Sequence, residues 1–122
     1  MTMRRMVMAA MTALVLVLPG VAAAQTIKIG FVQGISGPFE VYAKQEITGF
    51  TMGLEYATGG KGEVLGRKIE VLIEDDQLKP DVSKQKVTKL YADDKVDLVV
   101  GTTSSAAALD VVPTTRSTLS SA

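Results

Sequence analysis

The stretch IKIGFVQGISGP (27–38) decides the fold, because it places a strand and a turn directly before a long helical pattern. Residues 27–32 alternate β-branched or aromatic side chains with others, at the period of two that is typical of a strand. Two glycines and a proline within 34–38 cannot continue that strand and predict a turn. Apolar residues then recur at helical spacing over 39–58 and predict a helix, which Gly59 and Gly60 end.

The same unit recurs twice along the chain. Strands are predicted at 69–74 and 96–100 and helices at 81–92 and 105–112, and Pro113 is expected to end the third helix. The order β-α-β-α-β-α is typical of parallel strands joined by crossover helices that cover both faces of a sheet. The predicted fold class is therefore α/β, a partial doubly wound parallel sheet with strand order 2-1-3.

Three features of these elements predict how they pack. Gly49 and Gly53 lie inside the first helix and cost it stability, which we expect close approach to the sheet to offset. The continuous apolar run 98–100 predicts a strand that is covered on both faces. The second helix is predicted to bury one side, formed by Val87, Leu90 and Tyr91.

The composition excludes several classes of function. The 122 residues include 13 basic and 13 acidic side chains, with no histidine and no cysteine. The lack of histidine excludes a Ser-His-Asp triad and a histidine-ligated metal, and the lack of cysteine excludes disulfides and thiolate nucleophiles. A formal charge of zero without a basic run argues against nucleic-acid binding. We expect no enzymatic activity, no metal site and no cofactor.

Residues 1–24 are predicted to form a cleavable signal peptide. Arg4 and Arg5 make a positive start, 6–18 is an uncharged apolar run, and small alanines precede the predicted cleavage site. The alternative is a membrane anchor, but the apolar run of about 13 residues is shorter than the ~20 that a spanning helix needs. The mature chain is therefore expected to begin at Gln25 and to be periplasmic.

Open parallel sheets bind ligands outside the carboxyl ends of their strands, which lead here into three polar loops. The third loop opens onto a helix and carries four hydroxyl groups, those of Thr102, Thr103, Ser104 and Ser105. A helix N-terminus with hydroxyls and without lysine or arginine suits a single carboxylate better than a polyphosphate. Helix capping by the same hydroxyls is the alternative, and from the loop alone it is the preferred one.

The other two loops carry weaker signals. Ser36 in the first loop is a candidate ligand contact, although turn formation is its preferred explanation. Asp75 and Asp76 follow the second strand and resemble an acidic metal pair, but a solvated loop at a strand end explains them better. The segment 34–37 contains neither a phosphate-loop lysine nor a nucleophile motif, so it indicates neither nucleotide binding nor hydrolysis.

The ordered motifs between 27 and 113 resemble one family. They are IKIG (27–30), SGP (36–38), Tyr42 with Lys44-Gln45, Gly49, LGRKIE (65–70), EDDQ (74–77), DKVD (94–97) and GTTSS (101–105). This set is similar to the N-terminal part of branched-chain amino acid (Leu/Ile/Val) ABC-transporter substrate-binding proteins, which are periplasmic binding proteins of type I. The resemblance implies two α/β lobes joined by a hinge, with 25–113 as the first half of the first lobe.

The resemblance also implies a function and a site. Members of this family bind a small amino acid or another small carboxylate and deliver it to an ABC permease in the inner membrane, without covalent chemistry. The serine that holds the ligand carboxylate falls on Ser105, and an aromatic beside the ligand side chain falls on Tyr42. The loop 102–104 lines the same cleft.

After Pro113 the sequence departs from the family pattern. Residues 114–122 are rich in serine and threonine and do not lead into the fourth apolar strand that a member would enter. We expect this tail to be unstructured or to result from a frameshift. An extracytoplasmic ligand-sensing domain and a non-functional truncated product are the alternatives to a solute receptor. High-affinity binding by the chain alone is not expected.

Overall fold

The computed structural model describes residues 25–120. The predicted signal peptide, 1–24, lies outside the described residues, so it stays a prediction. Within 25–120, no helix combines the length and the apolar character that crossing a membrane requires.

Seven elements alternate along the described residues and confirm the predicted fold class. They are β1 (Ile27–Gln33), α1 (Glu40–Ala57), β2 (Glu63–Val64), β3 (Arg67–Asp75), α2 (Pro80–Ala92), β4 (Leu98–Gly101) and α3 (Ser105–Ser120). The strands form a four-stranded sheet in the order β2-β3-β1-β4, in which β3, β1 and β4 are parallel. Since β1, β3 and β4 are the three predicted strands, the predicted order 2-1-3 is confirmed.

The unpredicted element is β2, which pairs antiparallel with the start of β3. Leu65 and Gly66 connect the two strands with positive φ angles of 50° and 74°, as a two-residue hairpin turn of type I′ requires. The strand consists of Glu63 and Val64 alone. Two residues are too few to show a period of two in the sequence, and this is why the pattern missed it.

The side chains of β1 alternate between two layers, because β1 lies between the other two parallel strands. Val32 packs with Val87 and Leu90 of α2 in one buried cluster. Gly30 faces the same helix, and a Cβ at this position would lie 2.7 Å from Cδ1 of Leu90. The missing side chain therefore lets α2 approach the sheet closely. Burial of Val87, Leu90 and Tyr91 confirms the predicted inner side of α2.

The opposite face of the sheet is covered, within the described residues, by α1. Phe31 stacks on Phe50 of this helix with ring centroids 4.6 Å apart, and Ala43 is fully buried. Cover is incomplete, because Ile73 of β3 is 47% exposed and Leu98 of β4 is 42% exposed. The prediction that β4 is covered on both faces is therefore wrong within 25–120, because the side of β4 that carries Leu98 is not covered by α1.

Gly49 and Gly53 do not approach the sheet, so the prediction made for them is wrong. A Cβ at either position would meet nothing within 4 Å, and both residues are exposed. Phe50 marks the side of α1 that faces β1. The two glycines lie away from that side and cost the helix stability without a compensating contact.

The third helix, α3, continues to Ser120 with Pro113 inside it, which corrects the prediction that this proline ends the helix. Residues 114–120 are thus helical, which corrects the prediction of an unstructured tail, while the alternative of a frameshift stays a prediction. Ala107 and Val111 are buried, and Val111 joins the cluster formed with α2. This packing stabilises α3 against the loss of a backbone hydrogen bond at the proline, and such long-range contacts are not visible in local sequence.

Candidate ligand-binding cleft

Asp75, the last residue of β3, holds the loop that follows β1. Its carboxylate accepts hydrogen bonds from the Ile35 N–H at 3.0 Å, the Ser36 hydroxyl at 2.6 Å and the Gln77 N–H at 2.9 Å. Partial burial acts to raise the pKa of Asp75, but these hydrogen bonds outweigh it and hold the pKa below its usual value. A charged carboxylate therefore ties two of the strand-end loops together.

Asp76 has a different role, because its side chain is fully buried. One carboxylate oxygen accepts the Leu78 N–H at 2.9 Å, and the other is hydrogen-bonded to the hydroxyl of Ser83 in α2. These bonds join the loop after β3 to the start of α2. The prediction of a solvated acidic loop is wrong at Asp76. Within 25–120, no three acidic side chains come together as a metal site.

Thr103 is the centre of the polar contacts between the loops after β1 and β4. Its hydroxyl oxygen lies 3.3 Å from the backbone nitrogen of Gly34 and 3.3 Å from a carboxylate oxygen of Glu46 in α1. The hydroxyl also donates to the side-chain oxygen of Gln33, the buried last residue of β1. Gly101, with a φ of 127°, leaves no room for a Cβ against the β1 backbone. Glycine at this position lets the loop approach β1.

The start of α1 brings two aromatic rings and a carboxylate to the same place. Phe39, Tyr42 and Glu46 are spaced by three and four residues, which puts them on one face of the helix. The rings of Phe39 and Tyr42 meet edge to face with centroids 5.9 Å apart, and both side chains are exposed. Together with Thr103 these residues line an open cleft of about 340 Å³.

Two of the six predicted site residues, Tyr42 and Thr103, therefore meet in this cleft. The other four do not line it. Ser36 is exposed and donates its hydroxyl to the Asp75 carboxylate. The Thr102 hydroxyl donates to the backbone carbonyl of Ser104 at 2.7 Å, so it shapes the loop after β4.

Ser104 and Ser105 stand at the beginning of α3, with Ser105 as its first residue. The Ser104 carbonyl accepts the Ala108 N–H at 2.9 Å, which starts the helical ladder. Neither serine hydroxyl forms a hydrogen bond with the described part of the chain, so the capping that the sequence favoured is not formed there.

Sequence reasoning missed Glu46, Gln33 and Phe39 as parts of the site. The spacing of Phe39, Tyr42 and Glu46 was a usable signal, because side chains three and four residues apart share a helix face. Gln33 had no such signal. Its role depends on contact with Thr103, which is 70 positions away in the chain.

The chain matches the family model described as periplasmic binding protein over residues 26–118. The match spans most of the chain, which therefore belongs to the periplasmic binding protein family. Among curated proteins, none matches the chain.

The chain is also similar to solved structures of ABC-transporter proteins. A branched-chain amino acid ABC transporter protein of Rhodopseudomonas palustris is 49% identical, with a TM-score of 0.75 over 76% of this chain and 25% of its own. A solute-binding protein of R. palustris solved with 3,4-dihydroxybenzoic acid is 30% identical (TM-score 0.67; 73% and 24% covered). The branched-chain amino acid substrate-binding protein of Streptococcus pneumoniae, solved with isoleucine, is 29% identical (TM-score 0.70; 76% and 26% covered).

These comparisons confirm the family that the sequence motifs indicated. The chain is similar to ABC-transporter substrate-binding proteins, which are solute-binding proteins and not enzymes. It spans about a quarter of the length of these relatives.

Proposed function

We propose that this chain forms one wall of the ligand site in a solute receptor that serves an ABC importer for branched-chain or related amino acids. The observation that carries the proposal is the meeting of Tyr42 and Thr103 in one cleft. Thr103 follows β4 at the carboxyl ends of the parallel strands, where sheets of this type bind their ligands. Membership of the periplasmic binding protein family supports the same role.

We place the carboxylate of the ligand beside this cleft, at Ser104 and Ser105, which directly follow Thr103 at the start of α3. Their hydroxyls form no hydrogen bond within 25–120, and they stand where the first N–H groups of α3 lack helical partners. A carboxylate bound there accepts hydrogen bonds from the hydroxyls and is stabilised by the helix dipole. The proposed activity is reversible binding without covalent chemistry.

The ligand class and the location of the protein follow from the same proposal. Relatives were solved with isoleucine and with 3,4-dihydroxybenzoic acid, so the ligand is a small amino acid or another small carboxylate. The protein would act outside the cytoplasm and hand its ligand to an ABC permease. Mass analysis of the exported protein tests the location, because cleavage predicts Gln25 as the first residue and an intact Met1 contradicts it.

The affinity of the chain for its ligand should be low. The cleft is open, and the described residues provide one wall, whereas small-molecule sites enclose about 70–90% of a ligand's surface. We expect a dissociation constant of about a millimolar or weaker for leucine. Calorimetry that returned a micromolar constant for residues 25–122 would contradict this argument.

The proposal is tested by titrating ¹⁵N-labelled chain with leucine and following backbone amide signals by NMR. Signals of Tyr42, Thr103 and Ser105 should move together and report one binding curve. Ser105→Ala should weaken binding, because it removes a hydroxyl at the carboxylate position. Ser117→Ala is the matched control, since Ser117 is an exposed serine later in the same helix. Shifts confined to other regions, or none at high leucine concentration, would refute the proposed site.

A further inference from the structure

We propose that Glu46 makes this cleft selective for a ligand that carries a cationic group. The inference rests on the proposed function and deepens it, because it chooses between two ligand classes. One class has an ammonium group beside its carboxylate, as amino acids do. The other has a carboxylate without a cation, as benzoic acids do.

The carboxylate of Glu46 has no cationic partner in the described part of the chain. The ion pairs there involve the acidic residues Glu40, Glu74 and Asp94. The cleft is lined by Phe39, Tyr42, Glu46 and Thr103, none of which is basic. A carboxylate placed beside Glu46 would be repelled, whereas a cation there would find an unpaired opposite charge.

Glu46 acts as a hydrogen-bond acceptor toward Thr103. The Thr103 hydroxyl has one proton and accepts the Gly34 N–H. That proton is directed at two acceptors, the side-chain oxygen of Gln33 and a carboxylate oxygen of Glu46. With one proton directed at two acceptors, the Thr103 hydroxyl satisfies the carboxylate of Glu46 only in part.

In this arrangement Glu46 receives one hydrogen bond from the protein and keeps its other acceptor sites free. A carboxylate has about four lone-pair sites on two oxygens. The hydrogen bond from Thr103 orients the carboxylate of Glu46 before a ligand binds. This lowers the conformational entropy that the side chain loses on binding. An ammonium group, with its N–H donors and positive charge, matches the free acceptors.

The two aromatic rings strengthen the same preference. Phe39 and Tyr42 stand edge to face beside Glu46, with exposed rings, and they line the same cleft. The face of an aromatic ring attracts a cation within about 6 Å of its centre. A carboxylate beside two such rings has the chemistry that recognises an alkylammonium group and gives no comparable attraction to a carboxylate.

The test compares three probes of the same shape in the NMR titration. Leucine carries both charges, 4-methylpentanoate lacks the ammonium group, and 3-methylbutylamine lacks the carboxylate. In the unmodified chain, leucine should bind about tenfold more tightly than 4-methylpentanoate, and the amine should also move the Thr103 signal. In Glu46→Gln, the preference for leucine should fall to about twofold, which is the share that the two aromatic rings supply.

Glu55→Gln is the matched control, because Glu55 is an exposed acid in the same helix and does not line this cleft. It should keep the preference for leucine. Equal binding of leucine and 4-methylpentanoate by the unmodified chain, or an unchanged preference in Glu46→Gln, overturns the inference and leaves the proposed function standing. Failure of all three probes to move the signals of Tyr42 and Thr103 overturns both.

Discussion

Replacing Gly30 by alanine should destabilise the protein, because α2 packs directly on this position. The added Cβ would lie 2.7 Å from Cδ1 and 3.2 Å from Cδ2 of Leu90, inside the ~3.5–4.0 Å at which carbon atoms attract each other. Leu90 is fully buried in the cluster that contains Val32 and Val87, so its side chain cannot move without displacing these neighbours. Overpacking of this kind costs about 1–3 kcal/mol.

Urea unfolding followed by far-UV circular dichroism measures this cost, with thermal unfolding as a second assay. In a domain of ~100 residues, each kcal/mol lowers Tm by about 4–8 °C. Gly49→Ala is the matched control, because Gly49 is an exposed residue in the middle of α1 and its added Cβ would meet nothing within 4 Å. It should raise stability by about 1 kcal/mol. Close packing of α2 on Gly30 is refuted if Gly30→Ala is as stable as the unmodified chain, or if both substitutions shift stability in the same direction.

Two further substitutions test the buried carboxylate of Asp76 and the ion-paired carboxylate of Glu74. Ser83→Ala leaves a buried carboxylate oxygen of Asp76 without its hydroxyl partner, and it should lower the free energy of unfolding by about 1–3 kcal/mol in urea. Hydrogen bonds from Lys86 and Lys89 lower the pKa of Glu74 from its ordinary value of 4.5. The stability that this pairing contributes is complete above pH 4.5 and is lost as the pH falls through the lower pKa of the folded state. In Glu74→Gln, the free energy of unfolding should therefore depend less on pH between pH 5 and about pH 3.

Each of these two has its own control. Thr88→Ala removes an exposed hydroxyl of α2 that bonds the Lys84 carbonyl, and it should change stability by less than about 0.5 kcal/mol. A loss in Ser83→Ala no larger than that would contradict the role given to Asp76. For Glu74, the free energy of unfolding of the unmodified chain and of Glu74→Gln is measured from pH 7 to pH 3. A difference between the two that stays constant over this range would contradict the pairing of Glu74 with the lysines.

Local patterns predicted the elements that are long and periodic. β1 was predicted at 27–32 and spans Ile27–Gln33, and α2 was predicted at 81–92 and spans Pro80–Ala92. Such predictions work because backbone geometry sets the period of each element, and burial selects apolar residues at that period. β2 escaped prediction, since its two residues carry no period.

Of the candidate site, the sequence predicted the loops but not the contacts. Tyr42 and Thr103 were both candidates, and the fold places them in one cleft. Glu46 was missed, although its spacing from Tyr42 puts both on the same helix face. Ser36 was a candidate ligand contact, yet its hydroxyl is held by Asp75. A local sequence shows which groups a loop offers, but not which of them neighbouring loops already occupy.

The sequence by itself determined the order of elements, the parallel sheet and the family, because these depend on local periodicity and on ordered motifs. Only the tertiary structure decided the roles of chemically similar residues. Gly30 permits close packing of α2 on the sheet, while Gly49 faces open space. Asp76 is buried, while the neighbouring Asp75 binds the loop after β1. Pro113 lies inside α3 and does not end it. In each case the deciding contacts come from residues distant in the chain, which strand pairing and helix packing bring together.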